Sequence, residues 1–82
     1  MSIVRERLEQ CLALTLPNVP REELVSASLN ATAGWDSLAT VNIIFLIQEE
    51  FSIQVPEKDL ENFASFQLIL AYLEARNDDA NG

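Results

Sequence analysis

From Ser37 to Phe51 the chain runs without a glycine or proline, directly after Asp36, a residue type that favours the capping position of a helix. This stretch predicts a helix of about four turns. At about 100° per residue, Thr40, Ile43, Ile44, Ile47 and Phe51 share one arc, the expected core stripe, and Asn42, Glu49 and Glu50 fall away from it. A second apolar strip remains on another side, where Leu38, Val41 and Phe45 follow one another at spacings of three and four, starting beside Ser37. One exposed leucine needs no explanation, but three apolar residues in line below a helix N-terminus predict a contact surface.

The rest of the chain also reads as helix. Val4, Leu8, Cys11, Leu12 and Thr15 form the inner stripe of an amphipathic first helix over Ser2 to Leu16, which Pro17 and Pro20 stop. The polar stretch onward to Asp36 predicts a long loop, pinned by Leu24 and Leu29, with a flexible Gly34-Trp35 approach to the second helix. A connection of about twenty residues is unusual in a compact domain and more often has a functional or architectural reason than none. Ile53 and Val55 lead into Pro56 as a short extended step, Glu57 to Asn62 predict one or two further turns, and Ser65 caps a last helix with the stripe Phe66, Ile69, Leu70 and Leu73. The fold expected is all-α: a bundle of three main helices and one short one, with a long loop between the first and second. It spans residues 1–76, and residues 77–82 are expected to form a flexible polar tail.

At 82 residues there is room for one small domain. Its net charge of −8 argues against nucleic acid and anionic membrane and for basic protein partners. Histidine is absent and Cys11 is the lone cysteine, so disulfide frameworks, thiolate or imidazole zinc sites and every triad needing an imidazole base are excluded together. Glu49 and Glu50 are adjacent and do not face each other on a helix, and Asp78 and Asp79 lack the spaced oxygens of a calcium loop. The expectation is a non-catalytic protein without a metal. Arg5, Glu6, Arg7 and Glu9 break any signal-peptide core, which places the chain in the cytoplasm with Cys11 as a reduced, buried hydrophobe.

Ser37 stands out from these exclusions. Its hydroxyl falls in the first turn of the second helix, at the positive end of the helix dipole, where an anion or a phosphodiester is stabilised. Local sequence leaves a second reading open, that Ser37 only helps to cap the helix. Gly34-Trp35-Asp36-Ser37-Leu38, followed by Ala39-Thr40-Val41 and ending in Glu49-Glu50-Phe51, resembles the Asp-Ser-Leu motif and second helix of acyl carrier proteins. The likeness in element order covers roughly Ile3 to Arg76. The resemblance implies that Ser37, flanked by Asp36 and Leu38, receives 4′-phosphopantetheine from coenzyme A through a phosphopantetheinyl transferase. The thiol of that arm, rather than Cys11, then carries an acyl group as a thioester.

The same resemblance makes Leu38, Val41, Phe45, Glu49 and Glu50 the residues expected to meet partners with basic docking patches. Positions 39, 42 and 48, often acidic in carriers of fatty acid synthesis, are Ala39, Asn42 and Gln48 here. Together with Trp35 this pattern resembles acyl carriers of polyketide, specialised lipid or secondary-metabolite pathways, and a small charged domain that must visit several enzymes is expected to be a stand-alone monomer. One alternative is an aminoacyl carrier loaded by an adenylating ligase; another, of a different class, is an unmodified helical interaction module. Phe63, Phe66, Ile69 and Leu70 are bulky where carriers of that family that sequester long acyl chains often have smaller side chains. This implies a short, polar or aminoacyl cargo held outside the bundle, since well-packed cores resist added volume.

Overall fold

The computed structural model describes residues 3–81, and the side chains of residues 3–76. Three α-helices make the frame: α1 (Ile3–Thr15), α2 (Ser37–Phe51) and α3 (Phe66–Asn81). Two 3₁₀ segments, Arg21–Ser26 and Glu57–Phe63, lie in the connections. The expected all-α bundle with one short helix after Pro56 is what the chain forms, and the first 3₁₀ segment is an addition within the long loop. α3 runs past Arg76, where its apolar pattern predicted an end, because no glycine or proline stops it before Asn81. The side chains of the expected tail, 77–82, and Ser2 at the expected start of the first helix lie outside the described residues.

α1 is the central element, packed against α2, α3 and the first 3₁₀ segment. Its buried Val4, Leu8, Cys11 and Leu12 repeat at the helical spacing read from the sequence, and Leu16 continues the stripe beyond the last turn. On α2 the buried row is Ala39, Ile43 and Ile47, while Thr40, Ile44 and Phe51 of the predicted stripe are only half-buried. The face turned inward is therefore rotated slightly towards Ala39, along a single i, i+4 row. On α3, Phe66, Ile69 and Leu73 are buried, and Ser65 accepts the Leu68 N–H at 3.1 Å as its cap. Phe63 meets Tyr72 edge-on, with ring centroids 5.1 Å apart, and Tyr72 donates to Asp59 Oδ2 at 2.7 Å, fastening the second 3₁₀ segment to α3. Burial, then the Asp59 bond, push the Tyr72 hydroxyl above its ordinary pKa.

The long loop is ordered by its own backbone bonding. Leu24 is buried, Leu29 packs on the core, and Ala27 and Leu29 pair with the start of α3: Leu29 N–H donates to Ala64 O at 2.8 Å and Phe66 N–H to Ala27 O at 3.0 Å. Thr32 accepts the Ser28 N–H through its hydroxyl and donates its own N–H back to Ser28 O. A segment whose polar backbone groups are satisfied in this way can cover a core without being a helix or strand.

Candidate functional site

The N-terminal corner of α2 is built by four consecutive residues and one partner a turn later. Asp36 is extended at the cap position, and its Oδ1 accepts the Ala39 N–H at 2.9 Å, as its residue type predicted. Trp35 corrects the sequence reading. The approach to α2 is not flexible, because the indole is 1 % exposed and forms part of the core. Trp35 N–H donates to Thr32 O at 3.0 Å, its carbonyl accepts from Asn30 N–H at 2.9 Å, and its Nε1–H donates to Thr40 Oγ1 at 2.8 Å. Thr40 in turn donates its hydroxyl to Asp36 O at 3.1 Å, the same carbonyl that accepts the Thr40 N–H at 3.0 Å. Gly34, at φ +86°, supplies the left-handed turn that delivers the indole inward.

Ser37 is the first residue of α2 and is exposed. Its N–H and that of Leu38 precede the first intrahelical bond, so the serine hydroxyl sits where backbone donors and the helix dipole favour an anion. The surroundings fit a covalently attached phosphodiester, which needs a reachable hydroxyl and is favoured by the free N–H groups of a first helical turn. Ser65 caps α3 and Ser28 sits half-buried in a bridge with it, whereas the exposed Ser26 and Ser52 lie at the ends of the first 3₁₀ segment and of α2, away from a helix N-terminus.

Below Ser37 the second apolar strip is open to solvent, with Leu38 75 %, Val41 48 % and Phe45 60 % exposed. The structure adds a residue that the sequence pattern missed. Leu14, on the outer side of α1, is 74 % exposed and borders a hollow between α1 and α2 lined also by Thr15, Asn42, Phe45 and Leu46. Helical periodicity marks Leu14 as off the inner stripe, but only the packing of α1 on α2 places it beside Phe45. A second hollow, lined by Phe45, Gln48, Glu49, Ser52, Ile53 and Gln54, continues along the other flank of Phe45.

The two glutamates of α2 part company. Glu49 is exposed beside these hollows, whereas Glu50 reaches α1, where Arg7 Nε donates to its carboxylate at 2.6 Å and Arg7 Nη2 donates to its backbone carbonyl. The Arg7 guanidinium also lies 4.4 Å over the Phe51 ring. Glu50 thus serves an interhelical tie as well as the acidic surface. Gln48 is used inwardly too, accepting the Val55 N–H on Oε1 at 2.9 Å.

Cys11 is buried, as its stripe position predicted, and desolvation, with Glu50 adding and Arg7 opposing, pushes its thiol up to about 11. Such a thiol stays protonated and unreactive at neutral pH. Among the described residues, no helix is long and apolar enough to cross a membrane. The sequence model of a family described as a phosphopantetheine attachment site matches residues 6–73, which contain the whole of the corner, the strip and the hollows just described.

Proposed function

The chain belongs to the family of phosphopantetheine attachment domains, which are carriers of covalently bound 4′-phosphopantetheine, and on that premise we propose that Ser37 is the attachment residue. The observation that carries this reading is the position of Ser37 as the exposed first residue of α2, directly after a capping Asp36 and above the open strip Leu38, Val41 and Phe45. In the modification, Ser37 Oγ forms a bond to the phosphorus that bears the pantetheine of coenzyme A. The P–O bond within the pyrophosphate breaks, adenosine 3′,5′-bisphosphate leaves, and the serine proton is taken up by the transferase or solvent. The attached arm supplies a thiol for thioester chemistry, while the protein supplies tethering and presentation. Domains of this family generally carry intermediates and are not catalysts, and they meet a phosphopantetheinyl transferase and biosynthetic enzymes.

Our reading of the cargo is a short or polar acyl group in a polyketide, specialised lipid or secondary-metabolite pathway. Phe63, Phe66 and Ile69 are fully buried, and Phe63 is packed against Tyr72, so the α3 side of the core holds bulky rings where a long chain would need space. An aminoacyl cargo satisfies the same constraint. Partners are read as docking on Leu38, Val41 and Phe45 with Glu49 as the acidic contact, extended by Leu14 across the hollow.

Incubating the apo protein with coenzyme A, magnesium and a broad-specificity transferase should add the mass of one phosphopantetheinyl group. Ser37→Ala should abolish the gain. A gain that survives that substitution overturns the assignment of Ser37. Chemical-shift mapping of octanoyl-loaded protein tests the cargo reading, which a chain buried between α2 and α3 would sink.

A further inference from the structure

Ser37 is exposed, so its own side chain contributes little to fixing where its hydroxyl points. Its backbone position is inherited from Asp36 before it and from the first turn after it. Both are gripped by one hydroxyl: Thr40 Oγ1 accepts the Trp35 indole N–H at 2.8 Å and donates to Asp36 O at 3.1 Å. The bridge spans from the residue preceding the cap to a residue one turn into α2, enclosing the Asp36-Ser37 corner. One end is anchored in the core, because Trp35 is 1 % exposed. A buried indole N–H that loses its acceptor is strongly disfavoured, so Trp35 cannot keep its place unchanged without the Thr40 oxygen.

We propose that Thr40, acting through Trp35 and Asp36, is a positioning residue for the modification of Ser37. It pre-orders the corner so that the transferase binds a serine already in place. This inference rests on the reading of Ser37 as the attachment residue. It adds no atom to the reaction. Its effect lies in the fraction of carrier whose corner is competent to bind, and a carrier with a loosened corner shows a weaker apparent affinity in proportion to the competent fraction lost.

The test is steady-state phosphopantetheinylation of the apo chain by a broad-specificity transferase with coenzyme A and magnesium. Variants are compared at a temperature where circular dichroism shows each to be fully folded. Thr40→Val keeps the shape and β-branching but removes the acceptor, and KM for the carrier should rise about five- to tenfold with kcat within about twofold of wild type. Thr40→Ser, which restores the hydroxyl, should return KM to within about twofold of wild type. If Thr40→Val folds poorly, Trp35→Phe carries the test, since it keeps a ring in the core and deletes the donor; its KM should rise about two- to threefold. A wild-type KM in the folded Thr40→Val protein, or in Trp35→Phe where that carries the test, overturns the proposal. So does a Thr40→Ser protein no better than Thr40→Val. These results are distinct from failure of the underlying reading, which would appear as unmodified wild-type protein or as modification that survives Ser37→Ala.

Discussion

The two ends of α2 are held by opposite kinds of interaction. At the N-terminal end the grip reaches into the core: the buried Trp35 indole donates to Thr40 Oγ1, that hydroxyl donates to Asp36 O, and the Asp36 carboxylate accepts the Ala39 N–H. At the C-terminal end, beside the inward Gln48–Val55 bond, the tie to α1 is external, through an Arg7–Glu50 pair with both side chains more than a third exposed and a guanidinium resting on Phe51. A neutral hydrogen bond that satisfies a buried indole is little affected by salt and costly to lose, whereas exposed ion pairs are screened and worth little. The end that presents Ser37 is thus held by the stiffer set, and the end that presents Glu49 and Phe45 by the softer one. A carrier that must offer one hydroxyl in a fixed place, yet fit several partner surfaces, gains from that division.

The sharpest way to break the comparison is Trp35→Ala. It should cost about 3–5 kcal/mol of stability in urea unfolding, the range for removing a buried aromatic side chain. A loss below about 1 kcal/mol would show that the indole is not the anchor of the N-terminal end.

Next in size is the pH response of the other end, where Cys11 lies near Glu50 and Arg7. Its folded pKa of about 11 stands above the ordinary 9.0, so between these values the folded state keeps a proton that the unfolded chain releases. The contribution is fully present below about pH 9 and is lost as pH rises towards 11, by at most about 2–3 kcal/mol. Denaturant titrations across this window should show a steeper decline for wild type than for Cys11→Ala. Equal slopes would mean that the thiol is not responsible.

Asp36→Ala should cost about 1 kcal/mol through loss of the cap to Ala39, a cost that shrinks somewhat in salt because the exposed carboxylate also interacts with the helix dipole. Arg7→Gln should cost less, about 0–1 kcal/mol, and the difference from wild type should shrink as salt is added. Thr40→Val, which removes only neutral bonds, should have an effect that salt leaves nearly unchanged; if it proved as salt-sensitive as Arg7→Gln, the contrast between a stiff and a soft end would collapse.

Much of this was legible beforehand. Asp36 and Ser65 act as caps because short polar side chains reach the orphan N–H groups of a first turn wherever a helix starts. Cys11 is placed inside by helical periodicity, and Leu24 as an isolated apolar residue that pins an otherwise polar loop. Trp35 was missed because an indole beside glycine in a polar loop has no periodic partners; its burial depends on core space shaped by residues distant in the chain. The sequence assigns Glu50 to the partner-facing surface and does not show its tie to α1, since Arg7 is remote in sequence.

The sequence by itself determined the helices, their caps, the apolar strip below Ser37 and the family to which the chain is assigned, because these depend on local spacing and local hydrogen bonds. Tertiary structure alone decided how far the inward face of α2 turned towards Ala39, that Leu14 would join Phe45 at one hollow, that Glu50 would be tied to α1, and that Trp35 would lock the corner carrying Ser37. Those outcomes require chain segments far apart in sequence to meet, and their energies come from burial and pairing that exist only after the helices have packed.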